Sequence, residues 1–345
     1  MSMSKPDPAA SSRATRPAPQ ATPASADAGE ALALQTLLGV QQQACAVHWC
    51  EQIGSTNAEL LARVRGADAE PLKKHAGPLP SFLPPSRGLT RSDRFGGANP
   101  QLLVAGHQTA GRGRQGRPWV DGAHTSLLAS LAWPFAPGTP IAGLSVAVGV
   151  WLAQCLHGLG AAEVRLKWPN DVLLQERKLA GVLVELADTQ LARWAVIGIG
   201  LNLRSPPDLP DAIGLDACHL HQIAPNAPPA DSPQGGQENL GAARRFLESR
   251  WDVLRRLMPA MLAGLPIYAQ AGFAPWTDAW NQLHAWTGEP VVVLDHGTLR
   301  QTGQALGVDD SGHLLLQTAD GVRRVSSGDV SLRRAAVQAG HRPMP

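Results

Sequence analysis

Glu163-Val164-Arg165-Leu166-Lys167-Trp168-Pro169-Asn170-Asp171-Val172-Leu173-Leu174-Gln175-Glu176-Arg177-Lys178-Leu179-Ala180-Gly181 is the stretch that decides the fold class. Polar and apolar residues alternate from Glu163 to Trp168, the period of a half-buried strand. Pro169-Asn170-Asp171 is a turn signal. Val172–Leu174 follows as a short strand, Gln175-Glu176-Arg177 as a hairpin turn, and Leu179–Leu186 and Trp194–Leu203 as two longer strands. Strands this close together leave no room for the crossover helices of a doubly wound sheet. They predict an α+β fold: a mixed, largely antiparallel sheet with helices on one face.

Upstream, Ala46–Trp49, Gln101–Gly106 and Thr125–Trp133 read as further strands. Thr56 and Glu59 form a capping-box pattern before the helical apolar spacing of Leu60, Leu61 and Val64. Gly122 to Ala162 contains no Asp, Glu, Lys or Arg. Within it Ile141–His157 reads as a helix, with Thr139 as N-cap, Pro140 at its first position and Gly158 and Gly160 as stops. Its length of about 17 residues falls short of a membrane span, so a buried core helix is expected. Downstream, a helix is expected over Leu240–Leu262, with Pro259 ending it early, and another over Trp276–Leu283. After Pro290 come Val291–Leu294, Thr298–Val308, His313–Thr318, Val322–Ser326 and Val330–Leu332, separated by Asp/Gly turns. That spacing predicts a small SH3-like β-barrel.

Hydrophobic residues make up 44% of the 345, enough for a real core, while 35 glycines and 29 prolines point to loop-rich additions. Residues 1–30 hold 8 Ala, 5 Pro and 5 Ser, too little apolar bulk to offset ordering entropy. The expected organisation is a disordered tail over 1–45, a large domain over 46–285 with inserts at about 71–100 and 223–237, the barrel over 288–335, and a tail over 336–345. Cys45, Cys50, Cys155 and Cys218 form no CxxC pair and read as reduced thiols. The N-terminus has no apolar core of a secretory signal, and five prolines break any amphipathic transit helix, so a cytoplasmic location is expected. A net charge of +2 argues against a general nucleic-acid binder.

Four short motifs carry chemistry. Gly111-Arg112-Gly113-Arg114-Gln115-Gly116-Arg117-Pro118-Trp119 combines close backbone approach, planar cations for carboxylate or phosphate, and a flat ring for a base. It lacks the Gly-Lys-Ser/Thr end of a Walker loop, and by itself also reads as a solvated basic loop or an RGG-like segment. Lys167-Trp168-Pro169-Asn170-Asp171 with Lys178-Leu179-Ala180-Gly181 gathers two lysines, an Asn and an Asp at one sheet end, although Pro-Asn-Asp is also ordinary turn chemistry. A lysine there can neutralise charge developing during attack on phosphorus, and Asp171 can hold Mg²⁺. Ser55-Thr56-Asn57 reads as a helix cap with Ser55 free to face a ligand. Gly198-Ile199-Gly200-Leu201-Asn202 marks a close approach or a bulge, with Asn202 able to meet a ribose or phosphate.

In this order the motifs resemble those of the biotin–protein ligases, over roughly residues 46–335 apart from the inserts. The Gly-Arg loop together with Lys-Trp-Pro-Asn-Asp is highly specific, and Gly328-Asp329-Val330-Ser331-Leu332-Arg333 fits the family's C-terminal barrel. The resemblance implies a class II synthetase-like fold and a two-step reaction. Biotin and Mg-ATP give biotinyl-5′-adenylate and pyrophosphate. The adenylate then biotinylates a lysine of a biotin carboxyl carrier protein of acetyl-CoA carboxylase.

It also implies that Ser55, Thr56, Asn57, Gln108, Gly111 and Gly181 line the biotin site. Arg112 and Arg114 would sit between the biotin carboxylate and the adenylate phosphate, with Arg117, Trp119, Asn202 and Arg333 on the ATP side. Lys178 would be the central cation, supported by Lys167, Asn170 and Asp171. Some relatives carry an N-terminal helix-turn-helix. No pair of helices fits the 45 residues before the first strand, so no operator binding is expected. No membrane partner is expected either, and both a monomer and a homodimer joined at a sheet edge stay open. The competing functions are a lipoate–protein ligase and a non-enzymatic nucleic-acid binder using the Gly-Arg loop.

Overall fold

Alternating apolar residues build two sheets in the computed structural model, which describes residues 23–40, 45–66, 99–205, 217–222, 249–328 and 330–335. The expected inserts lie outside these residues, apart from 99 and 100, as does the 336–345 tail. The first sheet holds β1 Ala46–Ile53, β2 Gln101–Gln108, β3 Ser126–Phe135, β4 Val164–Lys167, β5 Asp171–Leu174, β6 Arg177–Asp188 and β7 Arg193–Asn202. Their order is β1-β2-β3-β7-β6-β5-β4. β1 pairs parallel with β2 and every other neighbouring pair is antiparallel, the mixed sheet that the close strand spacing predicts.

Among the described residues five α-helices pack on this sheet: α1 Pro23–Val40, α2 Thr56–Val64, α3 Leu144–Gly158, α4 Arg250–Ala271 and α5 Thr277–Leu283. α1, α3, α4 and α5 share one large core with Leu127, Leu131 and Trp133 of β3. α2 lies on the opposite face, where Leu60 and Leu61 meet Leu103, Ala132, Trp194 and Val196. The single helical face predicted from sequence therefore holds for four helices. β3 is buried at all ten positions because both its faces are covered.

Three local expectations are corrected. The 1–45 tail was expected to be disordered, yet α1 occupies 23–40. Ala31, Leu34 and Leu38 form an apolar stripe at helical spacing that burial in the core stabilises, overriding the composition. Its polar side is anchored too: Trp251 Nε1 donates to Asp27 Oδ1 at 2.5 Å, Arg255 pairs with Glu30, and Gln35 Oε1 accepts the β1 edge N–H of Val47 at 3.2 Å. α4 was expected over Leu240–Leu262 with Pro259 as an earlier end; 240–248 lie outside the described residues, and the helix continues through Pro259 and Pro266 to Ala271. Its buried Leu254, Leu257, Met258, Met261 and Leu265 hold the helix where propensity would break it. α3 starts three residues later than expected, with Gly143 (φ 83°) as N-cap, while the Thr139 hydroxyl turns back to the Ala136 carbonyl at 2.7 Å.

The second sheet holds β8 Pro290–Asp295, β9 Thr298–Val308, β10 Leu314–Thr318, β11 Gly321–Val325 and β12 Val330–Arg334. It is wholly antiparallel in the order β11-β10-β9-β8-β12, and its five strands follow the predicted ones within a few residues. It docks firmly on the first. The buried Trp168 donates its indole N–H to the Gly312 carbonyl at 3.0 Å, and Asn281 on α5 accepts from Val308 N at 2.8 Å and donates to Val308 O at 3.2 Å.

Candidate active site

β3, β7 and β6 lie side by side at the centre of the large sheet, and their ends bring the four motifs to one cleft of about 1150 Å³. Ser55, Thr56, Asn57, Gln108, Arg112, Arg114, Arg117, Trp119, Lys167, Asn170, Asp171, Lys178, Gly181, Asn202 and Arg333 all line it. Gly111 is buried just behind the wall, where a Cβ would stand 2.8 Å from the Trp119 carbonyl oxygen.

One end of the cleft is a ring of uncharged polar groups. Gln108 Oε1 accepts from Thr56 N at 2.7 Å and from Thr56 Oγ1 at 3.0 Å. Ser130 Oγ stands 2.7 Å from Thr56 Oγ1 and 2.5 Å from Asn57 Oδ1. Asn57 Nδ2 donates to Glu185 Oε2 at 2.8 Å. Ser55, expected to face a ligand while Thr56 capped, is itself the N-cap of α2: its Oγ accepts from Ala58 N at 3.4 Å. The helix begins one residue earlier than the capping-box pattern suggests, and Glu59 pairs with Arg63 at 2.8 Å instead.

The glycines of β7 fit the wall closely. A Cβ on Gly198 would overlap Asn57 Oδ1, and one on Gly200 would lie 2.6 Å from the Trp119 ring. Trp119 packs on this backbone, with Lys178 Nζ 5.7 Å from its ring centre. The loop before it is a tight hairpin: Trp119 N donates to Gly111 O at 2.9 Å and Gly113 N to Arg117 O at 2.7 Å. Its tip is a single 3₁₀ turn, Arg114–Gly116, with Gln115 at φ 58°. Arg112 lies 3.6 Å from Glu185. Arg114 donates to Asn170 Oδ1 at 3.2 Å and to the Ser327 carbonyl at 2.6 Å, and also reaches the Gly328 carbonyl. Arg117 stands exposed on the lip. Asn170 is held in turn by Val182, whose N–H it accepts and whose carbonyl it meets, both at 2.9 Å.

At the centre, Asp171 joins two lysines. Lys178 Nζ lies 2.6 Å from Oδ1 and Lys167 Nζ 3.1 Å from Oδ2. Burial opposes ionisation of Asp171, but the Lys178 and Lys167 ammoniums outweigh it and hold the carboxyl below its ordinary range. Burial pushes the Lys167 amine down, Asp171 counters it, and the nearby Arg333 and Lys178 charges add to the lowering. Asn202 is pinned by its Nδ2 to the Cys218 carbonyl at 3.2 Å, and Cys218 N donates to Lys178 O at 2.9 Å.

The expected Mg²⁺ role of Asp171 does not fit this arrangement. Both its oxygens are engaged by ammonium groups, and no cluster of three acid, His or Cys side chains able to hold a metal occurs among the described residues. Three residues of the site escaped sequence reasoning: Ser130, Glu185 and Trp286. Ser130 could have been flagged as the lone hydroxyl in the apolar run Leu127–Trp133. Glu185 and Trp286 carry no local signal.

Residues 90–202 match the sequence model of the Biotin/lipoate A/B protein ligase family, and residues 287–333 that of the Biotin protein ligase C terminal domain. Fold and cleft thus define the biotin and lipoate ligase class. The biotin–[acetyl-CoA-carboxylase] ligase of Paracoccus denitrificans is 34% identical, over 66% of this chain and 88% of its own. The bifunctional ligase/repressor BirA of Escherichia coli strain K12 is also 34% identical, over 67% of this chain, which spans 66% of BirA's length. The structure of a biotin protein ligase from Aquifex aeolicus in complex with biotin and ATP shares the fold, with a TM-score of 0.55 and 24% identity over 83% of this chain and 98% of that one. The chain belongs to the biotin–protein ligase family.

Proposed function

We propose that this chain activates biotin with ATP and transfers it to a lysine of a biotin carboxyl carrier protein of acetyl-CoA carboxylase. The observation that carries this reading is the convergence of Lys167 and Lys178 on Asp171, between an uncharged polar ring and an arginine-bearing loop. A carboxylate and a triphosphate repel each other, so fixed cations must bring them together.

In this reading the ring of Ser55, Thr56, Asn57 and Gln108 holds the ureido head of biotin, with Gly111 and Gly181 allowing close approach. A biotin carboxylate oxygen attacks the α-phosphorus, and the bond to pyrophosphate breaks. Lys178 and Arg114 stabilise the charge that builds on the phosphorus oxygens, and Lys167 and Arg112 neutralise the carboxylate. Arg117, Trp119, Asn170, Asn202 and Arg333 form the nucleotide side. In the second step a carrier lysine amine attacks the acyl carbon, the anhydride bond breaks and AMP leaves. Asp171 serves by fixing the two lysines; magnesium is assigned no protein ligand, and the Mg²⁺ of Mg-ATP is taken as part of the substrate.

The C-terminal match and the arginine-bearing loop support biotin over lipoate. Incubation with ATP, an apo-carrier domain and either biotin or lipoate tests the choice: label should transfer from biotin, and transfer only from lipoate sinks the reading. Biotin-dependent pyrophosphate release separates it from a non-enzymatic nucleic-acid binder. We further infer no operator binding, since the apolar stripe of α1 is spent on the core. Salt-resistant, sequence-specific binding to a promoter fragment would overturn this. A cytoplasmic site of action is part of the proposal; among the described residues no helix is long and apolar enough to cross a membrane.

A further inference from the structure

Trp286 sits on the turn between α5 and β8, where the chain passes from the first sheet to the second. It is nearly buried and lines the cleft. Its indole Nε1 donates to Glu176 Oε2 at 2.9 Å. Glu176 occupies the tight β5–β6 turn at φ 67°, and the same carboxylate oxygen lies 3.2 Å from Arg334 Nη1 at the end of β12. Lys167 Nζ lies 5.2 Å from the centre of the Trp286 ring and the Arg334 guanidinium 5.6 Å from it. A continuous series of contacts therefore runs from Arg334 through Glu176, Trp286, Lys167 and Asp171 to Lys178.

Lys167 is buried and shares its one carboxylate with Lys178. A second carboxylate would restrain it but would also cancel its charge and repel anionic substrates. An aromatic face attracts an ammonium through its quadrupole while leaving the net charge in place. The indole N–H does a different task. It orients Glu176, an acid on the cleft wall, for its ion pair with Arg334, which ties the β5–β6 turn to the strand that carries Arg333.

We propose that Trp286 is a positioning residue with two separable arms: its ring holds the Lys167 ammonium against Asp171, and its N–H, through Glu176, holds the Arg333-bearing end of β12 against the cleft. This deepens the ligase reading and rests on it. The ring arm acts on the reacting centre and the N–H arm on the nucleotide wall, so the two should separate kinetically.

The test measures pyrophosphate release by the full chain, with ATP and biotin varied independently. Trp286→Leu, losing both arms, is expected to lower kcat for adenylate formation by about 3- to 30-fold, the scale of a partly desolvated cation–π contact. Trp286→Phe keeps the ring and should restore kcat, while sharing with Glu176→Gln a several-fold rise in KM for ATP. KM for biotin should stay unchanged in all three. Where Trp286→Leu does not fold, tryptophan fluorinated stepwise at position 286 alone weakens the ring quadrupole without changing its shape, and kcat should fall with each fluorine. Equal kcat for the Phe and Leu variants, a flat fluorine series, or an unchanged KM for ATP in both Trp286→Phe and Glu176→Gln overturns the proposal. Biotin-dependent release by the unaltered chain tests the ligase reading separately, since every effect here is a ratio to that rate.

Discussion

Lys178 Nζ lies 2.6 Å from Asp171 Oδ1, and the other oxygen of that carboxylate holds Lys167 at 3.1 Å. One acid thus fixes two cations at the point where the polar ring, the arginine loop and the Arg333-bearing strand meet. Lys178 is also the more exposed of the two, which leaves its ammonium open to a ligand.

Replacing Lys178 with Ala should lower adenylate formation by about 10²-fold or more, the scale for losing a placed donor that stabilises developing charge. Pyrophosphate release at saturating biotin and ATP measures it. Wild-type rates in Lys178→Ala would disprove the role given to this residue.

Gly198→Ala should impair the polar ring without replacing any charged residue. The added methyl overlaps Asn57 Oδ1, so Asn57 must leave Glu185 or Ser130. Overpacking of this kind costs about 1–3 kcal/mol. Biotin titration by calorimetry should show affinity weakened by a comparable amount, and unchanged affinity would show that the wall yields.

Burial lowers the His284 pKa from 6.5 to about 4. Its ring packs at a tilt against Trp280, 4.5 Å between centres, and neither ring nitrogen has a hydrogen-bond partner among the described residues. The unfolded chain therefore binds a proton that the folded chain refuses between these values. Stability from this residue is complete above about pH 6.5 and is lost as pH falls towards 4, by about 3 kcal/mol. Urea unfolding across that range should show the loss in the wild type and its removal in His284→Leu. Parallel pH profiles for the two proteins would count against a neutral buried imidazole.

Leu34→Ala tests whether α1 belongs to the core. Leu34 is fully buried, and truncation of such a side chain costs about 2–5 kcal/mol. Thermal or urea unfolding should register that loss; a change within error would mean that α1 contributes nothing to the large core.

The sheet was legible because its signal is local. Val164-Arg165-Leu166-Lys167 alternates with a strand's period, β3, β6 and β7 are short apolar runs, and the Pro-Asn-Asp and Gln-Glu-Arg turns set off β5. α1 and the length of α4 were not legible. Ala31, Leu34 and Leu38 are too few to hold a helix alone, and Pro259 and Pro266 argue against one; in both cases packing against distant residues outweighs local preference. The Ser55–Thr56 exchange is a shift of one residue, below what a capping pattern can resolve.

The sequence by itself determined which chemical groups this protein can bring to bear: the arginines of the 111–119 loop, the two lysines with Asp171, and the glycines of β7, each a short-range pattern of residue types. Only the tertiary structure decided their partners. Asp171 is taken by lysines and not left for a metal, Ser130 and Glu185 hold the polar ring from strands more than 70 residues away, Trp286 reaches Lys167 from the turn before β8, and Arg334 reaches Glu176 from the second sheet. The reason is physical. A motif sets the charge and shape a side chain offers, whereas the distance and burial that give that charge its effect arise only when distant segments pack.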